Sequence, residues 1–156
     1  MIIDEIKNSF NPKPYTHIEE QVNNSEFHAS LTTPDNTKYT LIVTSVDNIS
    51  NIQWYVGKLK STLKSYYNAN FFKGVGLLLI VLGDKGKWSD MVNKVYPDWH
   101  GLQSVIVQGI LFIDEKQRLH QFSRSKWGPI KFGNIFGQMD KIKILLTNLE
   151  AGPTVA

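Results

Sequence analysis

The 156-residue sequence contains no cysteine, and this absence excludes several kinds of protein chemistry. Without thiols there is no disulfide framework, no thiolate nucleophile and no cysteine-ligated zinc or iron–sulfur site. Long apolar runs are also missing, because the longest, VGLLLIVLG from Val75, is about half of the ~20 residues that a membrane-spanning helix needs. The first residues carry acids and have no basic leader. We therefore expect a soluble cytoplasmic protein with no membrane contact.

The composition is typical of a globular domain, with 42% hydrophobic and 20% charged residues. A chain of this length buries ~70% of the surface that it would expose when unfolded, so one hydrophobic core is expected. No repeat, low-complexity block or long linker divides the sequence. We therefore predict a single domain over residues 1–150 and a disordered tail at residues 151–156.

Hydrophobic patterns predict five strands. EFHASLTT at 26–33 and KYTLIVTSV at 38–46 predict a β-hairpin, because PDNT between them is typical of turns. The apolar run from Val75 lies between glycines and predicts a central strand that is buried on both faces. Two more strands are predicted at about residues 104–113 and 118–122, with the polar turn DEKQ between them.

Helical signals lie between these strands. A capping box that begins at Thr16 predicts a short helix, and a second one at Ser50 predicts a helix that ends near Tyr67. DKGK leads into a helix that Pro97 ends, and a last helix is predicted from about Asn134. The pattern predicts an α/β fold, with mixed α+β as the alternative, in which helices pack on both faces of one mixed sheet of about five strands.

One stretch contains a motif that carries chemistry. Pro97-Asp98 is followed by Asp114-Glu115-Lys116, and this arrangement resembles the metal-binding signature of the restriction-endonuclease-like PD-(D/E)XK nucleases. The resemblance covers some twenty residues. It implies that Asp98 and Asp114 or Glu115 would hold Mg²⁺, and that Lys116 would position or activate water.

Strand geometry favours a different interpretation of this motif. If residues 104–113 form one strand, Asp98 and Asp114 lie roughly 30 Å apart and share no cation. If Gln108-Gly109 is a tight turn instead, a hairpin returns Asp114 towards Asp98. Asp114 also opens a polar turn, as aspartate often does. We therefore predict that the carboxylates of Asp98 and Asp114 do not converge, and we expect no cofactor, with Mg²⁺ required only by a nuclease.

The charges are segregated along the chain. The formal net charge is +3, yet residues 1–57 contain seven acids against three lysines, a net of −4, so the remaining residues have a net charge of +7. From Lys116 to Met139 there are five cations and no acid. Such separation favours an acidic partner.

Residues 117–137, which we call the basic-aromatic segment, alternate cations with aromatic rings. Basic groups can neutralise phosphates while an exposed ring stacks on a base; the alternative is that the rings belong to the core and the cations to an ordinary surface. We predict a small binding or regulatory protein without catalysis, whose partner is a nucleic acid or an acidic protein; the alternative is the Mg²⁺-dependent nuclease. The candidate binding residues are Arg118, His120, Arg124, Lys126, Trp127 and Lys131.

Overall fold

A computed structural model describes residues 4, 15–18, 22, 24–32, 38–70, 74–94, 104–114, 116 and 119–124. These residues form six strands, two α-helices and one 3₁₀ turn over Val46–Asn48. The strands are β1 (Tyr15–Ile18), β2 (Phe27–Thr32), β3 (Lys38–Ser45), β4 (Val75–Leu82), β5 (Val105–Asp114) and β6 (Leu119–Arg124), and the helices are α1 (Ile52–Tyr66) and α2 (Lys85–Val92).

All six strands belong to one sheet, and their order in the sheet is their order in the chain. β1, β2 and β3 form an antiparallel meander, β3, β4 and β5 are parallel, and β6 returns antiparallel to β5. The two parallel connections contain α1 and α2. The predicted α/β class and the predicted β2–β3 hairpin are therefore confirmed.

The first strand corrects the sequence analysis. The capping box at Thr16 predicted a helix, but Tyr15–Ile18 pairs antiparallel with β2. Aromatic and β-branched residues such as Tyr15, Thr16 and Ile18 favour strands, and the pairing with β2 satisfies the main-chain groups that a helix would have used. The sheet consequently has six strands rather than about five.

The start of α1 differs by one residue from the prediction. The helix is capped by Asn51, whose side-chain oxygen accepts a hydrogen bond from the Trp54 amide at 3.0 Å, and not by Ser50. Asparagine and serine are comparable N-caps, so the choice depends on which residue takes the extended conformation before the first turn. Asn51 has φ −138° and ψ 111°, which is that conformation.

Both described helices pack on the same face of the sheet. Buried residues of α1 and Trp88 of α2 join one hydrophobic cluster with Ile42, Leu79 and Phe112 from three adjacent strands. The rings of Trp88 and Phe112 stack with centroids 5.6 Å apart. The opposite face is also buried, at Leu41, Val43, Leu78, Ile80, Ile106, Leu111 and Ile113. The last predicted helix, from about Asn134, lies outside the described residues.

The central strand matches its prediction closely. Every residue from Val75 to Val81 is buried, and Leu82 is half-buried at the end of the strand. Neighbouring strands pair with it on both sides, and its side chains are buried on both faces, which favours apolar residues throughout.

β5 is one strand with a bulge at Gln108. Leu77 pairs with Val107 and Leu78 pairs with Gly109, so Gln108 is an extra residue in the ladder. The alternative in which Gln108-Gly109 forms a tight turn is therefore wrong, because β4 continues to pair with β5 on both sides of this point. The bulge shifts the alternation of side chains by one residue.

None of the described helices is long and apolar enough to cross a membrane.

Candidate functional site

A crevice lies at the carboxyl ends of the three parallel strands. Its volume is about 430 Å³. In sheets of this kind, ligands commonly bind beyond the carboxyl ends of the strands, where loops supply the side chains. The crevice is lined by Glu26, Ser45, Val46, Asp47, Leu82, Gly83, Asp84, Lys87, Ile113, Asp114 and Lys116.

Gly83 sets how closely the loop after β4 approaches the end of β3. Its φ of 148° is rarely adopted by residues with a side chain, and a Cβ there would overlap the side chain of Val46. Its amide donates a hydrogen bond to the Ile113 carbonyl at 2.9 Å. Glycine therefore allows the three strand ends to meet at the floor of the crevice.

Asp114 joins the end of β5 to the start of α2. Its side chain is 3% exposed, and Oδ2 accepts a hydrogen bond from the Lys85 amide at 2.9 Å. Lys85 is the first residue of α2, where amides lack partners within the helix and the helix dipole favours negative charge. Asp84 adds a second acceptor, since its Oδ1 takes the Gly86 amide at 2.8 Å. Two carboxylates thus cap one short helix.

An ion pair crosses the mouth of the crevice. Lys87 Nζ lies 2.6 Å from Asp47 Oδ1, which links α2 to the 3₁₀ turn after β3. The hydrogen bond from Asp47, together with its negative charge, raises the pKa of Lys87 above its ordinary value. Both side chains are more than half exposed, so water weakens the attraction between them and the pair can open.

Only part of the nuclease motif belongs to the described residues. Asp114 and Lys116 both line the crevice, whereas Asp98 and Glu115 lie outside the described residues. The predicted separation of Asp98 and Asp114 therefore stays a prediction. Within the described part of the chain, no three acidic or histidine side chains come close enough together to hold a metal ion.

The basic-aromatic segment is described only in its first part. His120 and Arg124 belong to β6, where they pair with Ile113 and Gly109 of β5. The other four candidate binding residues, Arg118, Lys126, Trp127 and Lys131, lie outside the described residues. Lys116, which precedes the segment, is exposed.

The sequence analysis missed four of the charged residues in the crevice, namely Glu26, Asp47, Asp84 and Lys87. A signal was present for two of them, since Asp47 and Asp84 each follow a predicted strand by one or two residues. Carboxyl ends meet only where strands are parallel and adjacent, and the sequence alone did not give the strand order.

Comparison with known proteins found no match among protein families, curated proteins or solved structures.

Proposed function

We propose that this is a binding protein that contacts an acidic partner, in the first place a nucleic acid, through the basic-aromatic segment. The observation that carries the proposal is the change of charge at the end of β5. Acids line the crevice up to Asp114, and from Lys116 to Met139 the chain has five cations and no acid. A positively charged segment that follows acidic residues in the sequence favours one orientation of an anionic partner.

The position of β6 supports the same proposal. Among the described strands β6 is the last in the sheet, and its described pairing is with β5 alone. The first candidate residues, His120 and Arg124, therefore belong to an outer strand rather than to the central strands of the sheet. The remaining candidates follow this strand directly in the sequence.

The test is titration of labelled single-stranded and duplex oligonucleotides, measured by fluorescence anisotropy at several salt concentrations. Each neutralised phosphate contributes ~0.7 to 0.9 to the slope of log affinity against log salt. Arg124→Ala combined with Lys126→Ala should weaken binding and reduce this slope, and Trp127→Ala should weaken binding at a similar slope if the ring stacks on a base.

Lys85→Ala combined with Lys94→Ala is the matched control, because it also removes two exposed cations. The control should leave the slope unchanged. If the intact protein binds neither oligonucleotide at low salt, the nucleic-acid proposal is wrong and an acidic protein remains as the partner.

A Mg²⁺-dependent nuclease is the second candidate, and one observation favours it: Asp114 and Lys116 line the same crevice. This function requires turnover, so the purified protein should cleave DNA or RNA only with a divalent cation, and Asp114→Asn should abolish cleavage. A binding protein should release every oligonucleotide uncut under the same conditions.

A further inference from the structure

The outer face of α1 carries an exposed aromatic ring between exposed polar residues. Trp54 is 64% exposed, although tryptophan is usually well buried. Each member of this face lies three or four residues from another member, and all are exposed: Trp54, Gly57, Lys58, Ser61 and Lys64. The buried residues of α1 lie on the opposite side.

This face is also positively charged. No acid occurs between Asp47 and Asp84, and the same stretch contains four lysines, three of them in α1. Lys58 Nζ lies 5.9 Å from the centre of the Trp54 ring. The ring and a cation are therefore presented together to whatever approaches the helix.

Gly57 follows Trp54 by three residues, so the two positions are neighbours on the helix surface. A Cβ at Gly57 would meet no atom within 4 Å outside the adjacent helix backbone. Glycine is among the least favourable residues inside a helix, and here no close packing requires it. Its absence of a side chain gives a flat ligand access to Trp54 and to the helix surface.

The helix is also held firmly enough to act as a platform. Its inner residues Tyr55, Leu59 and Leu63 are 4% exposed or less. Gln53 Nε2 donates a hydrogen bond to the Lys94 carbonyl at 2.7 Å, which links the first turn of α1 to the residues after α2. A platform that is already ordered loses little conformational entropy on binding.

We propose that the outer face of α1 binds a single-stranded nucleic acid. Trp54 stacks on an unpaired base, and Lys58 and Lys64, which are ~9 Å apart along the helix axis, contact phosphates of the same strand. The inference rests on residues of α1 alone, so it stands independently of the basic-aromatic segment.

The chemistry of this face favours a nucleic acid over other anionic partners. A helix that lies on a membrane inserts an apolar face, whereas the apolar face of α1 is buried in the core. An acidic protein would need a wider apolar patch, and Trp54 and Tyr66 are the only large exposed hydrophobic residues in the described part of the chain. Duplex DNA has no unpaired base to offer to the ring.

The experiment measures binding of labelled oligothymidine by fluorescence anisotropy, with the full chain and with variants shown by circular dichroism to be folded. Trp54→Leu, which keeps an apolar side chain but loses the ring, should weaken binding about 5- to 150-fold without changing the salt slope. Trp54→Phe should retain most of the affinity. Lys58→Ala combined with Lys64→Ala should reduce the slope by about 1.4.

Gly57→Leu separates binding from folding. It should raise the melting temperature, since leucine is a better helix former, yet weaken binding because it adds a side chain next to Trp54 on the helix surface. Lys85→Ala combined with Lys94→Ala is again the control and should leave the slope unchanged.

Three results would overturn the inference: no binding of oligothymidine at low salt, equal affinity of Trp54→Leu and the parent, or equally effective competition by polyglutamate. The first would still allow an acidic protein as partner of the basic-aromatic segment. If only the Arg124 and Lys126 substitutions weaken binding, the proposed function holds and this inference fails.

Discussion

At the scale of single residues, Asp114 is the only buried acid among the described residues. Its burial is compensated by the Lys85 amide at the start of α2. A buried carboxylate is tolerated when hydrogen-bond donors replace the water that it loses, and helix amides that lack a partner are suitable donors. The structure therefore gives Asp114 a role in stability whether or not it also contacts a ligand.

Asp114→Ala should lower the free energy of unfolding by ~1 to 3 kcal/mol, because the Lys85 amide loses its acceptor at a partly buried site and the buried carboxylate leaves its space unfilled. Asp114→Asn keeps an acceptor oxygen and should cost less. Denaturant unfolding of both variants measures the difference. Asp47→Ala, which removes an exposed acid from the same crevice, serves as the control. Equal losses for the two Asp114 variants would show that the charge matters more than the hydrogen bond.

At the scale of the elements, β4 is the part of the fold that the sequence predicted best. Seven consecutive apolar or glycine residues are compatible only with burial on both faces, so no knowledge of the neighbouring strands was needed. The prediction of a helix at β1 was wrong for the opposite reason. Four residues give too short a pattern to separate helix from strand, and the pairing with β2 decided the outcome.

Leu79→Ala and Ile80→Ala should each lower stability by ~2 to 5 kcal/mol, as large-to-small substitutions in a packed core do. Both side chains are 0% exposed, but Leu79 belongs to the cluster beneath α1 and Ile80 points to the other face. Leu82→Ala, at the half-buried end of the strand, should cost less. A neutral Ile80→Ala in denaturant melts would mean that the face away from α1 is loosely packed.

At the scale of the whole molecule, the crevice depends on strand order. Asp47, Asp84 and Asp114 lie far apart in sequence and meet because β3, β4 and β5 are parallel neighbours. Local patterns predicted that each strand exists but not which strands are adjacent. The sequence motif consequently contains Asp114 and Lys116, which are close in sequence, but neither Asp47 nor Asp84.

The stability of the whole domain should also depend on alkaline pH through Tyr55. Burial raises the pKa of its hydroxyl above the ordinary value of 10.0, and the nearby Thr44 hydroxyl offsets this only in part. A raised folded-state pKa means that the stabilising contribution is complete below pH 10 and is lost as the pH rises towards the folded pKa.

Tyr55→Phe should therefore lose less stability than the parent as the pH rises above about 10, by at most ~1.4 kcal/mol for each pH unit. Near neutral pH this variant should be at least as stable as the parent, since no contact of the hydroxyl, including the one with Thr44, has hydrogen-bond geometry. Urea unfolding from neutral pH to pH 11 measures both effects, with Tyr66→Phe, at the exposed last residue of α1, as the control. Parallel curves for the parent and Tyr55→Phe would contradict the prediction.

The bulge at Gln108 determines which residue of β5 meets α2. Before it, Val105 and Val107 face the helices; after it, Ile110, Phe112 and therefore Asp114 do. A regular strand would have turned Ile113 towards the amides at the start of α2 and sent the carboxylate to the far face. One inserted residue thus reverses the face to which each later side chain of β5 points. The position of the Asp114 carboxylate in the crevice depends on this reversal.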